Sequence, residues 1–176
     1  MKMTMEVLLR YYGWSQSPTI KECAEKAYRD LSRTMAYNKP LNPDKATEKE
    51  YEEEKNKYKE SVNTLIEKRI TKLLEELDKH STENAFDCWH EKTCDDIIKM
   101  SEKSEIVKEK GFYYGQAQKW LNMTFKNMLI AGVKKVQLEK LEAFLHVPVD
   151  SFIISPAEKS GVKQPKGSNS AWSKWD

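Results

Sequence analysis

Residues 58–77 read YKESVNTLIEKRITKLLEEL, and this stretch decides the fold. Tyr58, Val62, Leu65, Ile66, Ile70, Leu73, Leu74 and Leu77 recur at steps of three, four and seven, the spacing of one helix face. Tyr51 extends the steps upstream among Glu and Lys, and Thr47-Glu48-Lys49-Glu50 has the form of a capping box. The pattern predicts a single helix from Thr47 to about His80. At ~1.5 Å per residue that helix runs about 50 Å, whereas a compact domain of this size is roughly 40 Å across. Its charged half, Glu48 to Glu60, must therefore project from the body or break near Tyr58.

The flanking segments read the same way. Residues 2–12 form a short helix ended by Gly13. Ser17-Pro18 opens a second helix, with Ser as N-cap and Pro in the first turn, and Ile20, Ala24, Ala27 and Leu31 keep helical spacing to Met35. Asn38 to Asp44 is a loop. Ser81-Thr82 caps a helix over about Glu83 to Glu102, with Phe86, Trp89, His90, Thr93, Ile97 and Met100 on one face. Lys103 to Lys110 is a polar connection. The most apolar helix follows, about Gly115 to Ile130, ended by Gly132. Val136 to Leu145 is another helix, and Val147 to Ile154 is a short apolar piece, either a helical turn or a strand. The expected fold is a single-domain all-α bundle of about six helices over residues 1–154. Residues 155–176, rich in Ser, Lys, Gly and Pro, read as an irregular tail ending in Trp172 and Trp175.

Composition narrows the function classes. The chain has 176 residues, 33% charged, with a mean hydropathy of −0.79 and a net charge of +2. That balance gives no overall electrostatic case for nucleic acid or an anionic membrane. No window approaches a membrane span, no signal peptide is read at the N-terminus, and three cysteines make no secreted disulfide framework. The expected compartment is the cytosol.

Cys88, His90 and Cys94 lie on one predicted helix, and His90 and Cys94 are four apart. A structural zinc site needs four ligands and no partnering pair occurs elsewhere, so no metal and no cofactor are expected. Cys88 and His90 point to different sides of a helix, which disfavours nucleophilic catalysis. Asp95 and Asp96 diverge by about 100° around a helix and make no shared carboxylate site. Glu52-Glu53-Glu54 is a solvated face or an acidic surface for a basic partner. In the apolar helix Gln118, Lys119, Asn122 and Lys126 interrupt the pattern. Lys119, Asn122 and Lys126 read as one polar stripe: either a solvent or helix-bridging face, or an anion or nucleic-acid site with Lys for phosphate and Asn for a base edge. The second reading would gain if His90, His146 and Asp150 converged there.

Phe86-Asp87-Cys88-Trp89-His90, Gly115-Gln116-Ala117-Gln118-Lys119-Trp120-Leu121-Asn122-Met123-Thr124 with Lys126, and His146-Val147-Pro148-Val149-Asp150 together resemble a set of uncharacterised helical proteins of bacteria and their phages, over roughly residues 84–154. The resemblance implies no activity; a role in phage–host conflict is its natural association. The function expected is a non-enzymatic protein-interaction factor, a binder and inhibitor of a target protein. Its contact residues are Tyr51, Glu53 and Tyr58 on the long helix and Trp172 and Trp175 in the tail, and its partner is another protein or a second copy of the chain. The alternative is a helical nucleic-acid-binding protein or nuclease using Gln118, Lys119, Asn122 and Lys126.

Overall fold

The computed structural model describes residues 4–148 and 151–161, and 72% of these are helical with no strand among them. Among the described residues there are seven α-helices: α1 (Met5–Tyr12), α2 (Ile20–Leu31), α3 (Lys45–Glu75), α4 (Glu83–Glu102), α5 (Tyr114–Ala131), α6 (Lys135–Glu139) and α7 (Ser151–Lys159). The all-α expectation holds, with one helix of 31 residues.

Four of them close a ring in which α2 packs on α3, α3 on α4, α4 on α5 and α5 on α2. Side-chain pairs between neighbouring helices give the directions. As α2 advances from Lys21 through Glu25 to the following Tyr37, its partners on α3 step back from Glu60 through Lys59 to Tyr58 and Lys55. Phe86, His90 and Cys94 on α4 meet Phe125, Asn122 and Tyr114 on α5, again antiparallel. The result is an up-and-down four-helix bundle. Its core holds Leu31, Val62, Ile66, Ile70, Leu73, Phe86, Ile97, Trp120, Leu121 and Met128, all without solvent contact. Cys23, Ala24 and Ala27 give α2 a thin, fully buried face. Across it the Trp120 indole N–H donates to the Ala24 carbonyl at 3.0 Å, and the Asn127 amide donates to the Cys23 carbonyl at 3.0 Å.

Helix ends correct several expectations. α2 is capped by Thr19, whose side chain and that of Glu22 form the reciprocal box; Ser17-Pro18 lies outside it. Thr19-x-x-Glu22 satisfies two amides at once, and a lone serine ahead of a proline satisfies fewer. α3 starts at Lys45 because the Asp44 carboxylate accepts the Thr47 N–H at 2.8 Å. An anionic cap beside the positive helix end outcompetes the Thr47 box. α3 ends at Glu75, and Leu77–His80 is a 3₁₀ turn. The expected helix over 136–145 breaks into α6 and a 3₁₀ turn at Glu142–Phe144 that still buries Leu138 and Leu141. Residues 155–159, assigned to the irregular tail, belong to α7. Trp172, Trp175 and Asp150 lie outside the described residues.

α3 does not break at Tyr58. Tyr58 is buried, and the helix continues unbroken on either side of it. Residues 45–57 run on past the buried core, all exposed except the half-buried Tyr51 and Lys55, whose ammonium lies 5.7 Å from the Tyr37 ring centroid. At this same end, residues 36–38 are laced to the α4–α5 connection. Tyr37 and Val107 form an antiparallel bridge, Lys108 N–H donates to the Ala36 carbonyl at 2.9 Å, and the Asn38 amide donates to the Glu105 carbonyl at 2.7 Å. Gly111 sits where these backbones meet. A Cβ there would lie 2.7 Å from the Lys108 carbonyl oxygen and 2.9 Å from that of Ala36.

Candidate functional site

The polar residues of α5 differ in burial. Lys119 is 8% exposed and Asn122 2%. Gln118 is half-buried and Lys126 is exposed. Lys119 and Lys126 share a helix face but lie about 10 Å apart along the axis, and the neighbouring segments cover only the first. Gln116, outside the expected set, is buried: it receives the Tyr113 N–H at 2.8 Å and donates to the Thr34 carbonyl at 2.7 Å.

Asn122 belongs to a polar cluster at the α4–α5 seam. Its Oδ1 lies 2.7 Å from His90 Nε2. With His90 neutral, Nε2–H donates to Asn122 and Nδ1 faces the Cys94 thiol at 3.8 Å. Burial drives the His90 pKa down to about 4, and the neighbouring His146 pushes the same way; the Asn122 bond and Asp87 oppose it. His146 lies over His90, ring centroids 4.3 Å apart, and its Nε2 is 2.7 Å from Asp87 Oδ1. Phe86 meets His146 edge-on at 5.6 Å. Two of the chain's three histidines thus meet at this seam, and His90 links them to Asn122. Asp87 had no sequence signal, since its partner His146 is 59 residues away. The Asn122 Nδ2 group is buried with no hydrogen-bond partner.

The cluster is tight rather than hollow, and it gives no chelating set. Among the described residues no group of three or more His, Cys, Asp and Glu is placed to hold a metal ion. Cys88 is exposed while Cys23 and Cys94 are buried. Burial pushes both buried thiols up to about 12, which leaves them protonated and unreactive at neutral pH.

A row of contacts leads from the histidines to open space. His90 meets Cys94, Cys94 is hydrogen-bonded to Tyr114, and Tyr114 lines a cleft of about 1000 Å³ between α4 and residues 103–113. One wall is the α4 face Asp95, Ile98 and Glu102; the other carries Phe112, Tyr113 and Tyr114. Asp95 and Asp96 diverge as expected, for Asp96 turns to an ion pair with Arg69 while Asp95 faces the cleft.

Of the long-helix contact residues, Tyr58 is unavailable. It is 5% exposed, its hydroxyl is 2.6 Å from Ser101 Oγ, and its ring meets Trp120 at 6.4 Å. Tyr51 is half-buried with the Lys55 ammonium 5.8 Å from its ring centroid. Glu53 is exposed and pairs with Lys49 at 3.7 Å, not with Lys57, which bonds Glu54 at 2.6 Å. Lys55 bonds Glu52 at 3.3 Å.

Fold and surface together define a class: an up-and-down four-helix bundle of α2 to α5 in which α3 outruns the body beside a mixed-charge cleft. No protein-family model, curated protein or solved structure matches the chain.

Proposed function

We propose that this protein is a non-enzymatic interaction factor that binds a target protein, and inhibits it, through the free half of α3. The observation that carries this reading is the arm itself. Residues 45–57 continue a well-anchored helix into solvent with only Tyr51 and Lys55 half-covered. Helices gain most of their stability from packing, and three ion pairs within the arm contribute only about 0.2–0.5 kcal/mol each. A rigid helix presented this way loses little conformational entropy on binding. Over residues 44–57 it carries six carboxylates (Asp44, Glu48, Glu50, Glu52, Glu53, Glu54) against four lysines (Lys45, Lys49, Lys55, Lys57), a net −2. The partner surface it fits is therefore basic. The resemblance of residues 84–154 to proteins of bacteria and phages supports placing this inhibition in phage–host conflict.

The test is site-specific photo-cross-linking in the bacterium or infected host. A cross-linking side chain at Glu50 or Glu54 should yield one discrete adduct, lost when Glu48, Glu52 and Glu53 are changed to Lys; the same group at Lys92, on an exposed face of α4, should not. Equal adducts from all three positions, or none from the arm, would overturn the reading.

A second reading, nucleic-acid binding or cleavage at the α4–α5 seam, draws on the convergence of His90, His146 and Asn122. Of its two lysines Lys126 is exposed and Lys119 is 8% exposed. Fluorescence anisotropy with a single-stranded oligonucleotide over a salt series separates the two. Binding that weakens steeply with salt and vanishes in Asn122→Ala belongs to this second reading alone.

A further inference from the structure

Leu41 is the most exposed large hydrophobic side chain among the described residues, at 95%. It is the middle residue of the loop Asn38-Lys39-Pro40-Leu41-Asn42-Pro43-Asp44. An exposed leucine by itself means little, because much of any protein surface is apolar. Its neighbours give it meaning. Pro40 and Pro43 are half-buried, while the more apolar leucine between them is left in water. A loop free to settle would cover its leucine and expose its prolines. This one is held. At its base the Asn38 N–H donates to the Ile106 carbonyl at 2.9 Å, and the Asn38 amide donates to the carbonyls of Glu105 and Val107 at 2.7 and 3.3 Å. At its far end Asp44 caps α3. Between these ties both prolines lock φ near about −65°, and Asn42 takes φ 49°, a conformation asparagine tolerates better than most residues. The loop also flanks the arm. Tyr37, just before it, lies against Lys55, and its last residue caps the helix that begins at Lys45. Residues 38–44 therefore climb the ~15 Å of helix between those two positions, with Leu41 midway.

We infer that Leu41 is the apolar anchor of the partner interface, and that the target protein receives it in an apolar pocket beside the basic surface that meets the arm. The inference rests on the protein-binding reading above and adds the partner's second feature to it. The arm alone lacks such an anchor. Its charges give encounter rate and selectivity more than affinity, and its one large apolar group, Tyr51, is half-buried beside Lys55. Stable interfaces need a desolvated centre inside a polar rim. Leu41 supplies that centre, with Lys39, Asp44 and the charged arm as the rim. Burying one leucine side chain is worth roughly ten- to hundredfold in affinity. A loop already fixed by two prolines and by hydrogen bonds at its base loses little freedom in the complex, so more of that gain is kept.

The experiment uses the full chain. An apolar cross-linking side chain at Leu41 should capture the same protein as one at Glu54, and the adduct should map to apolar residues of that protein. The captured protein, identified by mass spectrometry and purified, is then titrated by surface plasmon resonance. Leu41→Ser should weaken binding at least tenfold through a faster off-rate, with the salt dependence unchanged. Leu41→Met, of similar volume, should stay within threefold. Changing Glu48, Glu52 and Glu53 to Lys should act the other way, slowing the on-rate and flattening the salt dependence. Leu41→Ser should keep the native circular dichroism and urea midpoint, as exposed substitutions do. Native affinity in Leu41→Ser overturns this inference and spares the arm. An adduct at Leu41 that needs the leucine, with none from Glu50 or Glu54, does the reverse. A cross-linker at Leu41 that captures only a second copy, only this chain's own residues 162–176, or nothing also overturns the inference.

Discussion

His90 shows how burial turns one side chain into a pH-dependent element of stability. Its pKa falls from an ordinary 6.5 to about 4 in the fold. The unfolded chain therefore binds an extra proton between these values, and stability drops as pH falls from 6.5 toward 4. The contribution is fully present above 6.5, and its loss amounts to roughly 3 kcal/mol at 1.36 kcal/mol per unit. Urea midpoints measured from pH 7 to pH 4 should decline more in the native chain than in His90→Gln, and parallel curves would refute the assignment. Trp120 makes a second case. It has no solvent contact, packs on Tyr28 at 5.1 Å and donates to the Ala24 carbonyl. Trp120→Ala should cost about 3–5 kcal/mol and Lys126→Ala within ±0.5 kcal/mol, as exposed substitutions usually do. Chemical denaturation of the two variants checks both.

At the scale of elements, the periodic pattern carried most of the fold and the caps carried the errors. The 58–77 stripe and the Glu83–Glu102 helix were legible because apolar side chains at helical spacing must face a core wherever that core lies. α4 came out with the expected ends. The ends of α2 and α3 did not, because several Ser, Thr and Asp compete to cap and only three-dimensional hydrogen bonding selects among them. The candidate site was less legible. Lys119, Asn122 and Lys126 share a helix face, yet only the part of α5 that carries Lys119 and Asn122 is covered there, and Asp87 found His146 across 59 residues. The cleft could not be read at all, because it forms where residues 36–38 meet residues 105–111. α5 itself ends at Gly132, which adopts φ 71° and returns its N–H to Leu129 and Met128. Gly132→Ala should cost about 1–2 kcal/mol, seen as a lowered thermal midpoint. Hydrogen exchange should also divide α3 in two, with amides of residues 48–55 exchanging roughly 100-fold faster than those of 62–73, since local opening follows burial. Uniform protection along the helix would mean the arm is covered in solution.

For the whole molecule, the three cysteines report on integrity. Cys88 is exposed while Cys23 and Cys94 are closed inside the ring of four helices. A thiol reagent should label one sulfur at once and the other two only on unfolding. Both late sulfurs should appear together if α2 and α4 open as one unit. Separate rates would show that the bundle comes apart helix by helix.

The free half of α3 also governs how the molecule moves through water. Thirteen residues of helix make a stiff rod of about 20 Å standing off one end of the bundle. A body with such a spar tumbles more slowly end over end than about its own long axis. Backbone nitrogen relaxation should then differ systematically between amides that point along α3 and those that lie across it. Sedimentation should give a frictional ratio above that of a sphere of the same mass. A bound target enclosing the spar would round the particle off and reduce that ratio while the mass increased.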